Sequence, residues 1–288
     1  MLMQQNKINK KVVLFIMEAF QESVKLYVDT YKPVLYLLTP CYGSQCFVNY
    51  MVCLINTINT CNQFGIEFHV EFCRNDSLVP RARNNLVARA MANLKTTHIL
   101  FVDADITWNA IDVVKLVISH QPLIGGLYPL KHFHFDRLND PSIIEKWRKA
   151  RDSQPFLEHV SNEDNLQHNL LRYNFNHGSN PQIIKNLLEV RHLATGFMMI
   201  RRETIETMTQ AFPSTKYTDD IGFLKKNEND YAYALFDCSV EEGHYFSEDW
   251  MFSQRWVNMG GKIYVNVTIN LTHTGIQDFN GSFLTSIL

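Results

Sequence analysis

The sequence lacks several short motifs and long apolar runs that would assign it to a class at once. It contains no GxxxxGK[ST] phosphate loop, no GxSxG nucleophile elbow and no Cys-x-x-Cys pair. The Gly pair at 125–126 has no GxGxxG context. The apolar run at residues 12–17 is too short to span a bilayer and has no signal-peptide cleavage pattern. These absences disfavour P-loop nucleotidases, serine hydrolases of the elbow type and membrane-spanning proteins.

The chain also lacks an excess of charge of either sign. It has 27 Lys and Arg residues against 29 Asp and Glu residues, for a formal net charge of −2. Such a balance gives no electrostatic reason to expect nucleic acid or an anionic membrane as a partner. Most of the 6 cysteines stand among apolar residues, which predicts buried reduced thiols. We therefore expect a reducing compartment and a cytoplasmic protein.

The 288 residues, 46% of them apolar, are enough for one large α/β domain. From residue 34 to residue 130, short apolar runs alternate with segments of helical spacing, which predicts a mostly parallel sheet with helices on both faces. We predict one domain over 1–288, with an N-terminal helical extension at 1–33 and a polar insertion at 131–190. Helices are predicted within that insertion at 141–150 and 181–190. Further strands are predicted at 192–203, 231–240 and 262–275, and a helix at 247–261.

A buried strand that ends in two carboxylates is the first candidate site. Residues 98–109 read HILFVDADITWN, and Asp103 and Asp105 follow the apolar run directly. Two neighbouring carboxylates need a positive partner, which is either a structural Arg or Lys or a divalent cation with its preferred oxygen ligands. Asp105 could also cap the next helix. Ligands of parallel sheets bind beyond the carboxyl ends of the strands, which favours a functional role.

Three other segments carry chemistry-bearing residues. Arg81 and Asn84, in PRARNN, stand at a predicted helix start that suits a phosphate or a base edge, although solvated arginines are the simpler interpretation. The segment SEDW predicts a helix start that Ser247 caps, and an acid there could also serve as a general base. His273 is either a surface residue or a nitrogen ligand suited to Mn²⁺.

Taken in order, these segments resemble glycosyltransferases of the GT-A fold, the Rossmann-like fold of nucleotide-diphospho-sugar transferases. The matching segments are TPCYG, PRARNN, LFVDADI, ATGFMMIRRE, SEDWMF and THTG. The stretch from RNNLVARAM to the Asp-x-Asp is similar to Anp1-type mannosyltransferases, and the C-terminal half is similar to glycosyltransferase-like proteins of large viruses and phages. The resemblance covers 34–130 and 192–276, but not 1–33 or 131–190.

The resemblance implies a set of site residues. It implies a Mn²⁺ or Mg²⁺ ion at Asp103, Asp105 and His273. It implies that a nucleotide sugar contacts Pro40, Cys41, Tyr42, Asp76, Arg81, Asn84 and Asp103. It implies that Gly125, Gly126 and Gly196 let the backbone approach the donor sugar, although each glycine could simply relieve packing at a strand end. In an inverting enzyme Asp249 would be the general base, with Glu248 as the other candidate.

The implied function is metal-dependent transfer of a sugar from a nucleotide-diphospho-sugar to a hydroxyl group of a glycan or a protein. A UDP-sugar is favoured over a GDP-sugar, and inversion over retention. The alternative from another class is a non-catalytic protein of the same fold that binds a glycan or a nucleotide sugar. A nucleotidyltransferase is disfavoured because TPCYGSQ lacks a triphosphate loop rich in Gly and Lys. The H-x-H pair at 132–134 could hold a metal, but a polar loop is the simpler interpretation.

Overall fold

The computed structural model describes residues 2–152, 162–176 and 181–276. The α-helices are α1 (Leu2–Tyr31), α2 (Val48–Phe64), α3 (Val79–Ala92), α4 (Ala110–Ile118), α5 (Pro141–Asp152), α6 (Asn162–Leu170), α7 (Arg202–Ala211) and α8 (Glu248–Asn258). The strands are β1 (Val34–Cys41), β2 (Glu67–Arg74), β3 (His98–Val102), β4 (Ile106–Thr107), β5 (Leu123–Gly125), β6 (Phe175–Asn176), β7 (Ile183–Ile184), β8 (Leu187–Val190), β9 (His192–Leu193), β10 (Phe197–Arg201), β11 (Ser239–Glu241), β12 (His244–Phe246), β13 (Ile263–Asn266) and β14 (Thr272–His273).

A large central sheet organises these elements, with the strand order β2-β1-β3-β10-β5-β13-β8-β7. Strand β1 pairs in parallel with β2 and β3, and β5 pairs in parallel with β13. Strand β10 runs antiparallel between β3 and β5, and β8 runs antiparallel to β13 and β7. The predicted α/β class with a mostly parallel sheet is confirmed.

Apolar side chains alternate along the strands and build a core on each face of the sheet. In β1, Tyr36 and Leu38 join one core, whereas Leu35 and Leu37 join the other. The first core takes side chains from α3, α7 and α8, and the second takes them from α1, α2 and α4. Strands buried on both faces need helices on both sides, which is why the segments read as continuous apolar runs. The prediction that helices pack on both faces of the sheet is confirmed.

The predicted N-terminal helix is present as α1, which packs against α2 and α4. Val24 is fully buried, and the Tyr27 hydroxyl lies 3.0 Å from Nδ1 of His120, just beyond α4. Burial of an aliphatic side chain contributes about 1.5–3 kcal/mol, so this face fixes the helix on the domain. Among the described helices, none combines the length and the apolar character needed to cross a bilayer.

Two predicted elements are wrong. Residues 181–190 form the hairpin β7–β8 and not a helix, because Lys185 and Asn186 both take positive φ and make a two-residue turn. The last residues of the polar insertion therefore extend the central sheet. The predicted strand at 231–240 is largely a 3₁₀ turn and loop in which Phe236 is buried against Phe101 and Phe252. Its apolar residues reflect this packing and not strand pairing.

Candidate active site at the strand ends

The topology brings the predicted segments to one edge of the sheet. Parallel pairing aligns Cys41 at the end of β1 with Arg74 at the end of β2, and β3 ends beside them. The antiparallel β10 begins opposite Val102, where the Asp103 amide donates a hydrogen bond to the Gly196 carbonyl at 3.1 Å. The turn after β1, the residues after β2 and the Asp-x-Asp after β3 therefore share one edge.

Asp105 and His273 face each other across a short antiparallel pair. Strand β14 pairs with β4, and the Thr274 amide donates to the Asp105 carbonyl at 2.8 Å. This holds His273 Nε2 3.4 Å from Asp105 Oδ2. The other ring nitrogen, Nδ1, lies 2.9 Å from the Pro129 carbonyl, which can only accept, so Nδ1 carries a proton. The ring therefore faces the carboxylate with Nε2, which donates to Asp105 when the imidazole is protonated and offers a lone pair to a cation when it is neutral.

Asp105 has a second partner, Lys131, which follows β5 closely in the chain. Its Nζ donates to Asp105 Oδ2 at 2.5 Å. Burial acts to raise the pKa of Asp105, but hydrogen bonds from His273 and Lys131 outweigh it and hold that pKa below its usual range. Asp105 does not cap α4, because the side chain of Asn109 accepts the cap hydrogen bond from Ile111 at 3.1 Å.

Asp103 has a partner of its own. Arg83 Nη2 donates to Asp103 Oδ1 at 3.0 Å, and Arg83 Nε donates to Glu248 Oε1 at 3.2 Å. The Arg83 side chain is 5% exposed. Burial lowers its pKa, but the two carboxylates outweigh that effect and the pKa is raised. Arg83 therefore stays charged and ties the Asp-x-Asp to the start of α8.

The predicted metal set is only partly brought together. Asp105 and His273 converge, whereas Asp103 is turned to Arg83. Within residues 2–152, 162–176 and 181–276, no group of three or more His, Cys, Asp or Glu side chains could hold a metal ion. Asp105 and His273 offer an oxygen and a nitrogen that suit Mn²⁺, and phosphate or water oxygens would have to complete the shell. The metal ion therefore stays a prediction.

The predicted nucleoside residues lie on the β1–β2 side of this pair. Asp76 accepts two hydrogen bonds from Arg81, at 2.7 and 3.0 Å, and one from the Leu78 amide at 2.9 Å. The Arg81 bond, ahead of the other effects, lowers the pKa of Asp76. Arg81 is partly exposed, so the pair presents an ordered guanidinium to solvent.

The turn after β1 gives its three predicted residues different surroundings. Cys41 is buried and its thiol donates to the Gln45 carbonyl at 2.8 Å, which fixes the turn. Tyr42 is 73% exposed, so its ring is free to stack on a base. Pro40 is the next-to-last residue of β1 and pairs with Cys73. Of the three, Tyr42 offers the largest accessible contact surface.

Both polar atoms of the Asn84 side-chain amide are bound to the backbone of Phe236. Its Nδ2 donates to the Phe236 carbonyl at 2.7 Å, and its Oδ1 accepts from the Phe236 amide at 2.9 Å. This clamp holds the loop over residues 231–238 against α3. Asn84 thus positions the wall of the site, although the resemblance implied that it contacts the nucleoside.

The three glycines are occupied by packing. A Cβ on Gly196 would lie 2.6 Å from the Tyr128 ring, and one on Gly125 would lie 2.2 Å from the Phe197 carbonyl oxygen. A Cβ on Gly126 would lie 2.8 Å from the Ile269 side chain. Groups of the protein itself fill the space at all three positions. The packing interpretation accounts for these glycines, and the approach of a donor sugar stays a prediction.

At the start of α8, Ser247 occupies the N-cap position but its side chain makes no cap hydrogen bond. The expected serine cap is therefore wrong. The Ser247 hydroxyl donates instead to Asp249 Oδ1, which also accepts from the Trp250 amide at 2.8 Å. Asp249 is only partly buried, whereas Glu248 is paired with Arg83. Of the two predicted acids, Asp249 is the one without a cation partner among the described contacts.

Arg83 and Lys131 are the two site residues that sequence reasoning missed. Arg83 stands between the two residues singled out in PRARNN, and it alone of the three bridges the acids. Lys131 stands six residues after the end of β5. The rule that drew attention to Asp103, a charged residue beyond a strand end, would also have drawn attention to Lys131.

Comparisons with known proteins find similarity among solved structures. Neither the protein-family models nor the curated proteins contain a match to this chain. Among solved structures, the chain is similar to the one described as the crystal structure of A197 from STIV, with 12% sequence identity and a TM-score of 0.44. The alignment covers 84% of this chain and 86% of that chain.

Proposed function

We propose that the protein is a metal-dependent glycosyltransferase of the GT-A fold. It would transfer a sugar from a nucleotide-diphospho-sugar, with UDP favoured, to a hydroxyl group of a glycan or a protein. The observation that carries the proposal is the Asp105–His273 pair at the strand ends. The Pro129 carbonyl holds Nδ1, so Nε2 of the ring and a carboxylate oxygen of Asp105 face each other 3.4 Å apart, where a cation could take both.

Each side chain then has a defined task. Asp105 and His273 would hold Mn²⁺ or Mg²⁺, which when bound neutralises charge that develops on the leaving diphosphate. Arg83 keeps Asp103 oriented beside this pair. Tyr42 and the Asp76–Arg81 pair bind the nucleoside, on the β1–β2 side of the site.

Asp249 is assigned as the general base that takes the proton from the acceptor hydroxyl. Its Oδ1 is held by Ser247 and Trp250, which orients the carboxylate without neutralising it. Glu248 is the weaker candidate because its Oε1 is already bound to Arg83. A general base whose proton transfer accompanies bond formation contributes about 10²–10⁴-fold in rate. This assignment requires an inverting mechanism.

A second candidate is a non-catalytic protein that binds a glycan or a nucleotide sugar. One observation favours it: Arg83 and Lys131 match the two carboxylates of the Asp-x-Asp without any metal ion. These pairings stabilise both carboxylates of the Asp-x-Asp with side chains of the protein itself. The two candidates differ in whether a bound donor is consumed.

Donor hydrolysis without acceptor separates the candidates. The protein is incubated with UDP- and GDP-sugars with and without Mn²⁺, and release of the nucleoside diphosphate is measured. We expect slow Mn²⁺-dependent release that Asp105→Asn abolishes and that Asp29→Asn, a surface substitution on α1, leaves unchanged. Thermal stabilisation by a nucleotide sugar without release would support the binding protein. Neither release nor stabilisation with any donor would refute both.

A further inference from the structure

A cleft of about 1040 Å³ opens beside the Lys131–Asp105 pair. Most of its lining comes from three stretches: residues 127–135 after β5, residues 167–175 at and after the end of α6, and residues 265–276 from β13 to just beyond β14. Lys131 and His273 line it, so it is continuous with the proposed metal site. The strand order puts β5 and β13 on the opposite side of β3 from β1 and β2. The cleft is therefore separate from the proposed nucleoside side.

Apolar side chains make up much of the lining. Aromatic rings come from Phe133, Phe135, Tyr173 and Phe175, and aliphatic side chains come from all three stretches. Phe135 is 61% exposed, and Leu130 and Tyr173 are also exposed. Clustered exposed rings beside a polar centre are typical of binding sites for apolar ligand groups. A free sugar would leave most of this surface unused.

The polar part of the lining is biased toward cations and donors. It includes Lys131, His132, His168 and His273, and among the described lining residues none carries a carboxylate. Asp105 stands at the edge, but Lys131 and His273 already contact it. Lys131 gives one of its three N–H donors to Asp105, and among the described contacts the other two remain for an anionic group in the cleft. The charge of this surface therefore complements an anion.

We infer that the cleft binds an amphipathic anion, an apolar chain or ring system that carries a phosphate or carboxylate head group. Its apolar part lies on the Phe135 and Tyr173 side, and its head group lies toward Lys131 and His168. This inference rests on the proposed function, in which such a molecule presents the acceptor to the donor sugar. The substrate class is then a lipid-like or aromatic acceptor and not a free polar glycan.

Calorimetric titration with short probes below their micelle concentration tests the inference. The probes are octyl phosphate, octanoate, the neutral tetraethylene glycol monooctyl ether, and inorganic phosphate. We expect octyl phosphate or octanoate to bind at least about tenfold more tightly than the neutral ether and inorganic phosphate, since one charge-assisted hydrogen bond accounts for such a factor. The stronger of the two anionic probes identifies the head group.

Variants locate the binding. Phe135→Ser is expected to weaken the best anionic probe several-fold, and His168→Gln to weaken it while leaving the neutral ether unchanged. Leu26→Ser, an equally exposed apolar position on α1, is the matched control and is expected to have no effect. Equal affinity for the neutral and anionic probes, or no response to Phe135→Ser, would overturn the inference. So would the absence of binding of every probe.

Failure of this inference and failure of the proposed function are distinguishable. Probe binding requires no sugar transfer, and donor hydrolysis requires no acceptor. Release of the nucleoside diphosphate without probe binding would support the glycosyltransferase proposal and reject the amphipathic anion as its acceptor. Probe binding without donor release would leave an amphipathic-anion site on a protein that is not a transferase.

Discussion

The Lys131 ammonium donates a hydrogen bond to Oδ2 of Asp105 at 2.5 Å, and this is the same carboxylate oxygen that faces His273. The lysine therefore competes with any divalent cation that uses this oxygen. Its position also explains how a carboxylate at a strand end is stable when no metal is bound. Each carboxylate of the Asp-x-Asp forms an ion pair within the protein, Asp103 with Arg83 and Asp105 with Lys131.

Lys131→Met is expected to raise the affinity for Mn²⁺ in the absence of nucleotide. The ion no longer has to displace an ammonium group, and a positive charge beside its site is removed. We expect an increase of roughly tenfold, about 1.4 kcal/mol. The free Mn²⁺ concentration measured by electron paramagnetic resonance gives the dissociation constant. Lys262→Met, at an exposed lysine paired with Glu189, is the control. An unchanged or lower affinity for Mn²⁺ in Lys131→Met would exclude this competition.

Arg83→Met is expected to destabilise the fold by about 1–3 kcal/mol, the cost of a partly buried carboxylate that loses its partner. Asp103 and Glu248 would then stand near each other without a cation. Urea denaturation at pH 7 measures the free energy of unfolding. Adding Glu248→Gln should restore part of the loss, because it removes one of the two charges. Arg148→Met, on the exposed surface of α5, should be neutral, and a loss of equal size there would contradict the bridge.

The order of strands and helices between residues 34 and 130 was predictable because it rests on local patterns. The apolar runs of β1, β3 and β5 are buried, β2 at the sheet edge is partly buried, and the helices carry apolar residues at helical spacing. The helix prediction for residues 181–190 was wrong because the apolar residues of PQIIKNLLEV fit helical spacing as well as a hairpin. The turn at Lys185 and Asn186, and the pairing of β8 with β13, decide the matter through tertiary contacts.

The candidate site was predictable in position but not in its pairing. A charged residue beyond a strand end can be read from the sequence, and Asp103, Asp105 and His273 do share one edge. Which carboxylate meets which cation depends on side chains far apart in the chain. Arg83 and Glu248 are 165 residues apart, and no local pattern connects them.

His98 makes the stability of the fold depend on pH. Burial first, and then Arg201 and His120, lower its pKa from 6.5 to about 3. The unfolded chain therefore binds a proton at a higher pH than the folded chain. The contribution of His98 is complete above pH 6.5 and is lost as the pH falls toward 3, by about 1.4 kcal/mol per pH unit.

In His98→Gln this part of the pH dependence should be absent. Urea denaturation at pH 7.5, 6 and 5 would show a shallower fall than in the unmodified protein, whatever the variant's stability at pH 7.5. Identical slopes in His98→Gln and the unmodified protein would show that other groups cause the acid sensitivity.

Asp249→Asn separates a general base from a helix-start residue. An asparagine Oδ1 can still accept the two hydrogen bonds that Asp249 Oδ1 accepts from Ser247 and Trp250. The local structure should therefore survive, apart from a charge–dipole contribution of about 0.3–1 kcal/mol. The proton acceptor is lost, so transfer to an acceptor should slow by about 10²–10⁴-fold.

Turnover, melting temperature and donor affinity are measured together for Asp249→Asn, because loss of a general base lowers turnover and leaves the other two nearly unchanged. Ser247→Ala removes one of the two hydrogen bonds and keeps the carboxylate, so it should retain most of its turnover. If Asp249→Asn also retains it, Asp249 serves only the helix start, and a retaining mechanism or Glu248 becomes the better assignment.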